Sequence, residues 1–324
     1  MNVLITGGTG FIGLNLAEAL LARGDRVALF GLEPPPLNAK PTFAKLPGKV
    51  IASLGDVRDE AALDRIFHEA EIDRVVHAAV VTSNQARERR DPRSIMDTNV
   101  LGTLAVLQAA QRHPVQRFVY LSSIDVYGTN AYTSEPLTED KTQPLPDTLY
   151  AVSKFTGERM ALRMKALTGL DVVCARLGPA FGRWERQTPY RDLMSPQFQT
   201  LVHALEQPGK EIVLPRPGLR DWVYAGDVAQ GIVQLLDAPK LGFETYNVGS
   251  GSRWTVDDWC RRLASRHPGL VHKLSSDPAE CTVDLGGPAD RGPIAIDRLS
   301  REFGYRPRFD LDAAFTDLMA WLDA

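Results

Sequence analysis

Apolar and polar residues form two different patterns along the first half of the chain. Short apolar runs predict buried strands at 2–6, 26–30, 49–53, 74–79, 117–123 and 171–177. Between them, longer amphipathic stretches predict helices near 11–23, 59–70, 93–112 and 150–168. Strands that are apolar throughout and separated by helices are typical of a parallel sheet covered on both faces. The pattern therefore predicts an α/β fold with a doubly wound parallel sheet of Rossmann type.

The alternation of apolar strands and amphipathic helices stops after residue 178, where an irregular stretch rich in Pro, Gly and Arg begins. Later elements are predicted as a helix near 197–206, a turn into a helix over 220–238, and a strand ending in a loop over 245–251. We therefore expect two interleaved domains. Residues 1–178 form the first, to which the chain returns near 213–240, and residues 179–324 form a smaller α+β domain.

Composition and charge exclude several classes of protein. The chain has 324 residues, is 44% hydrophobic and carries a net charge of −3, whereas nucleic-acid binders carry clustered positive charge. Its three cysteines are far apart and its six histidines form no i, i+4 pair, so neither a disulfide framework nor a metal site is expected. No leader-like segment or membrane-length apolar run is evident. We expect a cytoplasmic protein without nucleic-acid or membrane partners.

A glycine-rich turn follows the first strand directly and opens the next helix. Gly7, Gly10 and Gly13 have the spacing of a dinucleotide-binding fingerprint, and Phe11 and Ile12 lie within it. Small residues let the backbone approach a pyrophosphate, which binds at the helix N-terminus. A turn that only packs helix against strand is the alternative. The strand–turn–helix context favours a dinucleotide cofactor.

The end of the second strand bears on which dinucleotide binds. The fingerprint usually has an acid there for the ribose hydroxyls, and this chain has Gly31, with Glu33 two residues later. The next basic residue is Lys40, so no base is expected to hold a 2′-phosphate, and Glu33 would repel one. The pattern favours NAD over NADP. After the third strand, Asp56 and Val57 are expected near the adenine, with a solvated helix N-cap as an equal alternative for Asp56.

Two later motifs carry candidate chemistry. Tyr150 and Lys154 of "LYAVSK" are one helical turn apart and share a helix face, and "LSSIDVYG" covers 121–128. Together with the glycine-rich turn, three further motifs carry a family resemblance: "RDWVYAGDVA" (220–229), "YNVGSG" (246–251) and "LSREFGYRP" (299–307). The sequence resembles the extended short-chain dehydrogenase/reductase family, in its NAD-dependent epimerase/dehydratase branch, over nearly the whole chain.

The resemblance implies a catalytic set that falls on Ser123, Tyr150 and Lys154. A free phenol has a pKa of about 10 and is a poor base at neutral pH, but a neighbouring ammonium favours the phenolate. Tyr150 would take a proton from a secondary alcohol as hydride moves to NAD, and Ser123 would bind the same substrate oxygen. Lys154 would also hold the nicotinamide ribose. The resemblance places three further residues at the cofactor: Ala78, Ala79 and Asn99.

The chain departs from this branch where substrates are distinguished. Dehydratases of the branch carry Asp-Glu just after the catalytic hydroxyl residue, and here those positions are Ile124 and Asp125. Nucleotide-sugar members hold the diphosphate with three features. The first, an arginine, is present as Arg220, and the second, an asparagine, is replaced by Pro179. For the third, a C-terminal arginine, Arg291 lies too close to the following helix to be the counterpart.

Arginines in the expected substrate loop are the other signal. Arg183, Arg186 and Arg191 follow the sixth strand, and guanidinium groups suit carboxylate or phosphate, although most are expected to be solvated. Because only one of the three diphosphate-binding features is present, the sequence favours a small anionic or polyhydroxylated substrate over a full sugar nucleotide. Arg183 and Arg220 are the arginines expected to bind it, together with Ser123.

Three functions stay open. The first is an NAD-dependent oxidoreductase acting on a sugar-like or sugar-acid substrate. The second is a UDP-sugar 4-epimerase with tightly bound NAD. The third is an inactive NAD-binding regulator, against which the intact Ser123, Tyr150 and Lys154 argue. The resemblance also implies a homodimer that packs through the helices near 93–112 and 150–168.

Overall fold

Seven parallel strands form the central sheet of the protein, whose computed structural model describes residues 1–323. The strands of the described chain are β1 (Asn2–Thr6), β2 (Arg26–Gly31), β3 (Lys49–Leu54), β4 (Arg74–His77), β5 (Arg117–Ser123), β6 (Val172–Leu177), β7 (Ala180–Phe181), β8 (Ile212–Leu214), β9 (Val223–Tyr224), β10 (Thr245–Val248) and β11 (His272–Leu274). The large sheet has the order β3-β2-β1-β4-β5-β6-β10. Two small parallel pairs, β8 with β11 and β7 with β9, complete the strands.

Helices cover both faces of this sheet, as the continuous apolar strands predict. Within residues 1–323 they are α1 (Phe11–Ala22), α2 (Ala39–Phe43), α3 (Glu60–Glu69), α4 (Gln85–Arg90), α5 (Pro92–Met96), α6 (Thr103–Arg112), α7 (Leu149–Thr168), α8 (Pro196–Glu206), α9 (Ala225–Asp237), α10 (Val256–Arg266), α11 (Asp297–Phe303) and α12 (Leu311–Leu322). A π-helical turn, Asp97–Gly102, joins α5 to α6, and a 3₁₀ segment, Ile124–Ala131, follows β5. The doubly wound α/β prediction is confirmed.

The order of the strands reverses between β1 and β4, and this reversal positions the site. In doubly wound sheets, ligands bind in the crevice outside the carboxyl ends of the strands at such a point. The loops after β1, β4 and β5 all end there. The loop after β1 carries the glycine-rich turn, the loop after β4 carries the Ala78–Ala79 pair, and Ser123 is the last residue of β5.

The helix predicted over 93–112 is interrupted by the π-helical turn. Asn99 in that turn accepts the Val81 N–H at 2.7 Å and donates to the Val81 carbonyl at 3.0 Å, and Thr103 Oγ1 donates to the Asn99 carbonyl at 2.7 Å. The Thr103 hydroxyl thus competes with a backbone N–H for a helical carbonyl, and Asn99 holds the turn to the loop after β4. Periodicity alone does not reveal such a turn.

A second apolar core lies in the C-terminal half, around the buried Phe181, Trp222 and Trp259. Helix α9 packs on α1 instead, and β10 pairs with β6 at the edge of the main sheet. The chain therefore returns to the large sheet twice after residue 178. The domain boundaries stay a prediction. Among the described residues, no helix combines the length and apolar character needed to cross a membrane.

Candidate active site

A cavity of about 1150 Å³ opens at the carboxyl ends of β1, β4 and β5. Pockets for drug-sized ligands measure roughly 300–1,000 Å³, so this one has room for a dinucleotide beside part of a substrate. Its lining brings together most of the residues predicted from sequence: Gly7, Gly10, Phe11, Ile12, Gly13, Asp56, Val57, Ala78, Ala79, Ser123, Tyr150, Lys154 and Arg220.

The glycine-rich turn fits a pyrophosphate because it leaves no room for side chains. Gly7 has a φ of +65°, and a Cβ there would lie 2.7 Å from the Ala79 Cα. A Cβ on Gly13 would lie 2.5 Å from the Gly7 carbonyl oxygen, so α1 begins directly against the turn. Gly10 provides no side-chain cap, which leaves the first N–H groups of α1 available to an anion. The residues present therefore fit a nicotinamide dinucleotide.

Helix α7 presents Tyr150 and Lys154 to the cavity. Thr148 caps the helix by accepting a first-turn N–H at 3.1 Å, which places Tyr150 in that first turn. Gly157 lets α7 lie close against β5, because a Cβ there would collide with the Tyr120 hydroxyl. The Lys154 ammonium lies 4.6 Å from the centroid of the Tyr120 ring. One cap and one close helix–strand contact thus set the positions of both side chains.

The two serines at the end of β5 have different partners, as expected for alternating strand positions. Ser122 donates to the Glu158 carboxylate at 3.0 Å. Ser123 accepts the N–H of Asp125 at 3.1 Å, and while burial raises the pKa of the Tyr150 phenol, the Ser123 hydroxyl acts to lower it. The arrangement supports Ser123, and not Ser122, as the partner of Tyr150.

A buried ion pair lies behind Lys154. Arg176 contacts Glu158 through Nη2 to Oε1 at 2.6 Å and through Nε to Oε2 at 3.0 Å, and the two side chains are 5% and 1% exposed. The pair ties α7 to β6, and the Ser122 bond ties α7 to β5. Sequence reasoning missed this pair. Its signal was an arginine inside the apolar run 171–177 and a glutamate one helical turn after Lys154.

Burial dominates the electrostatics of Tyr150 and Lys154. It lowers the pKa of Lys154 to about 7, against the opposing charge of Glu158. It also raises the pKa of Tyr150, and Asp125 adds to that rise, while Ser123 and Arg191 act in the opposite direction. Lys154 alone therefore does not bring the pKa of Tyr150 below its usual value, and the expected joint effect of Lys154 and a cationic nicotinamide stays a prediction. A desolvated phenol resists ionisation more strongly than the neighbouring cations favour it.

Two arginines and an aspartate line the cavity beyond Ser123. Arg291 forms an ion pair with Asp125, and Arg220 donates to the Gly286 carbonyl. Burial acts to raise the pKa of Asp125, but the charge and hydrogen bond of Arg291 outweigh it and hold that pKa below its usual value. The Nε atoms of both arginines are buried without a hydrogen-bond partner in the described part of the chain. Asp125 is thus ionised at neutral pH.

Arg291 lines the cavity, although sequence spacing excluded it as a diphosphate anchor, and that exclusion stays a prediction. The chain reverses at Gly286 and Gly287, whose φ angles are +64° and +97°, and the Gly292 N–H then binds a carbonyl of the 3₁₀ segment at 3.0 Å. A Cβ on Gly287 would lie 3.6 Å from Arg220 Nη2 and 3.8 Å from Arg291 Nη2. Both guanidinium groups therefore flank one glycine.

Two predicted contact residues lie outside the cavity lining. Arg183 Nε contacts Asp317 at 2.7 Å and its Nη1 contacts Glu18 at 3.3 Å, so carboxylates away from the cavity neutralise its charge. Asn99 is 2% exposed and, besides its bonds to the backbone after β4, donates to Ser153 at 2.9 Å. It anchors the π-helical turn to α7 and is not available to a cofactor. Both expectations are corrected accordingly.

His77 is a buried core residue. Its ring nitrogens lie 2.7 Å from Thr6 Oγ1 and 2.8 Å from Thr103 Oγ1, and burial lowers its pKa to about 3. It therefore stays neutral. Within residues 1–323, no group of three or more His, Cys, Asp or Glu side chains is placed to hold a metal ion.

A glycine-rich turn, a phenol, a buried lysine and a serine hydroxyl in one cavity can couple proton transfer to hydride transfer. The fold and the cavity together define a Rossmann-type protein of the class that binds a dinucleotide. The chain belongs to the NAD dependent epimerase/dehydratase family, whose family model matches residues 3–249. The family prediction from the sequence motifs is confirmed.

Named relatives include both dehydratases and epimerases. The chain is 31% identical to a dTDP-glucose 4,6-dehydratase of Streptomyces antibioticus, over 99% of this chain and 92% of the relative. It is 27% identical to UDP-glucuronate 4-epimerase 6 of Arabidopsis thaliana, over 99% of this chain and 71% of that one. The solved UDP-glucose 4-epimerase of Thermus thermophilus, in complex with NAD, is 26% identical with a TM-score of 0.78, covering 99% of each chain.

Proposed function

We propose that the protein is an NAD-dependent oxidoreductase that acts on a secondary alcohol of a sugar-like or sugar-acid substrate. The convergence of Ser123, Tyr150 and Lys154 on the cavity that contains the glycine-rich turn carries this proposal. NAD, when bound, supplies the hydride acceptor and a cationic ring. The glycine-rich turn would hold its pyrophosphate, and Lys154 and Tyr150 its nicotinamide half.

Tyr150 is the proton acceptor in this proposal. Burial raises its pKa, so positive charge near the phenol is needed before it acts as a base. Lys154 supplies part of that charge, and with a pKa of about 7 it exchanges a proton near neutral pH. The Ser123 hydroxyl orients the substrate oxygen from which the proton leaves.

The charges close to Tyr150 support the substrate class. The charge of Asp125 acts on Tyr150, and Arg291 is paired with Asp125, so an arginine lies near the reacting centre. A carboxylate a few bonds from the reacting carbon suits that guanidinium. Pro179, which also lines the cavity, has no side-chain donor for a phosphate.

Elimination of water is not part of the proposal, although relatives include dehydratases. Ile124 is 3% exposed and belongs to an apolar cluster. Asp125 is held ionised by Arg291. Neither residue can therefore donate a proton to a leaving hydroxyl at neutral pH.

A nucleotide-sugar 4-epimerase with tightly bound NAD is the second candidate. Arg220 and Arg291 flank Gly287 in the same cavity, and a pair of guanidinium groups also suits a diphosphate. The UDP-sugar epimerases among the relatives favour it as well. An inactive NAD-binding regulator has less support, because Ser123, Tyr150 and Lys154 all reach the cavity.

Net turnover separates the two candidates. The purified protein is tested for bound NAD(H), and NADH absorbance is then followed with a panel of sugars, aldonates and uronates. The proposal expects net NADH formation with an acid of the panel. Stoichiometric bound cofactor, no net NADH and interconversion of UDP-sugars would instead establish the epimerase.

Tyr150→Phe tests the proton carrier. It should abolish hydride transfer and leave NAD affinity nearly unchanged, because only the phenol hydroxyl is removed. Tyr246→Phe is the matched control, since the Tyr246 hydroxyl contacts Glu302 outside the cavity. Activity of Tyr150→Phe within a few-fold of the wild type would contradict the assignment.

A further inference from the structure

The cavity extends past the glycine-rich turn to the end of β2, where Gly31 and Glu33 line it. Arg186, from the segment that follows β7, lines the cavity as well. The charge of Glu33 acts on the Arg186 guanidinium, so the two side chains lie within electrostatic reach of each other. The fold therefore brings a base to the region where the sequence after β2 offers none before Lys40.

Arg186 differs from the other arginines of its segment because it has no counter-ion in contact. Arg183 is paired with Asp317, and Arg191 Nη2 contacts Glu185 at 2.6 Å. Among residues 1–323, neither Arg186 nor Glu33 forms an ion pair, and Arg186 Nη1 is buried without a hydrogen-bond partner. A buried donor without a partner is unfavourable unless a ligand group completes it.

Glu33 and Arg186 favour different groups at the 2′ position of the adenosine ribose of a bound dinucleotide. A carboxylate at the end of the second strand accepts a hydrogen bond from the 2′-hydroxyl of NAD and repels the 2′-phosphate of NADP. A guanidinium attracts that phosphate and can bind it through two parallel hydrogen bonds. The choice of cofactor then depends on the balance between these two charges.

We propose that Arg186 can bind the 2′-phosphate of NADP and that the charge of Glu33 opposes this binding. The pair of side chains therefore sets the preference for NAD. The inference rests on the proposed binding of a nicotinamide dinucleotide in the cavity. It revises the sequence argument, in which the preference followed from the lack of any base. Here the preference follows from a carboxylate that opposes a base already present.

Direct binding of NAD and NADP, measured by calorimetry on the purified full-length protein, tests the proposal without any substrate. Four forms are compared: wild type, Glu33→Gln, Arg186→Gln and the double variant. Glu33→Gln should raise the affinity for NADP by about ten- to a hundred-fold, because a hydrogen bond between a guanidinium and a phosphate is then no longer opposed. Adding Arg186→Gln should remove that gain. Arg65→Gln, an exposed arginine outside the cavity lining, is the control for loss of one positive charge.

The outcomes separate this inference from the proposed function. If the wild type binds neither dinucleotide, both fail. If it binds NAD but Glu33→Gln gains no affinity for NADP, or the gain survives Arg186→Gln, this inference alone is overturned. Thermal melting of each variant shows that it is folded, and NAD affinity of Arg186→Gln within about threefold of wild type supports a role confined to the 2′-phosphate.

Discussion

Replacing Glu158 with Gln removes one charge from the buried ion pair behind Lys154 and leaves the other in place. Both side chains are at most 5% exposed, so water cannot replace the lost carboxylate at Arg176. Breaking a buried ion pair by removing one partner costs about 3–5 kcal/mol. The Gln carbonyl can still accept one hydrogen bond, so we expect the lower end, a loss of about 3 kcal/mol in the free energy of unfolding.

Urea denaturation followed by circular dichroism measures this loss. Glu211→Gln is the matched control, because Glu211 and Lys273 form an exposed ion pair at 2.9 Å, and such pairs contribute about 0.2–1 kcal/mol. Adding Arg176→Met to Glu158→Gln should recover part of the stability, since no unpaired charge then stays buried. A loss for Glu158→Gln no larger than the control would refute the view that this pair anchors α7.

The remaining predictions concern Lys154 and the substrate arginines. Lys154→Met should weaken both turnover and NAD binding, and normal NAD affinity would show that Lys154 does not contact the ribose. Burial lowers the pKa of Lys154 from 10.5 to about 7, so between those values the unfolded state binds the extra proton. The stability of the wild type relative to Lys154→Met should therefore rise as pH increases from 7 to 10.5, and denaturation across that range measures it. UDP should bind with a Kd above about 0.1 mM, because Pro179 provides no side-chain donor for a phosphate; low-micromolar binding by calorimetry would promote the epimerase.

The fold was predictable because its signals are local. The strands inside the sheet are mostly apolar, the helices between them are amphipathic, and the turn at Gly7, Gly10 and Gly13 needs glycine for steric reasons that a spacing rule captures. The exception is β3, which was predicted to be buried at 49–53 but is exposed, because it lies at the edge of the sheet. The Tyr150–Lys154 pair was equally local, since both lie on one helical turn.

The environment of the cavity was not predictable, because it depends on contacts between distant residues. Nothing in the sequence near Arg183 indicates that Asp317 will neutralise it. Arg291 contacts Asp125 because the chain turns at two glycines with positive φ, Gly286 and Gly287. Spacing along the sequence does not show the direction that the chain takes after that turn. Arg186 lines the same cavity as Glu33 although the two residues lie far apart along the chain, and sequence spacing does not show this either.

The late strand β10 has a consequence for biosynthesis. Residues through β6 leave the ribosome well before Thr245–Val248, so the six-residue β6 is an edge strand of the newly made sheet until the shorter β10, of four residues, pairs with it and becomes the edge. An unpaired edge is a template for pairing with other chains. A fragment that ends at residue 178 keeps the glycine-rich turn, Tyr150 and Lys154, yet it should aggregate when expressed alone. Supplying residues 179–324 as a separate chain should restore solubility by covering β6.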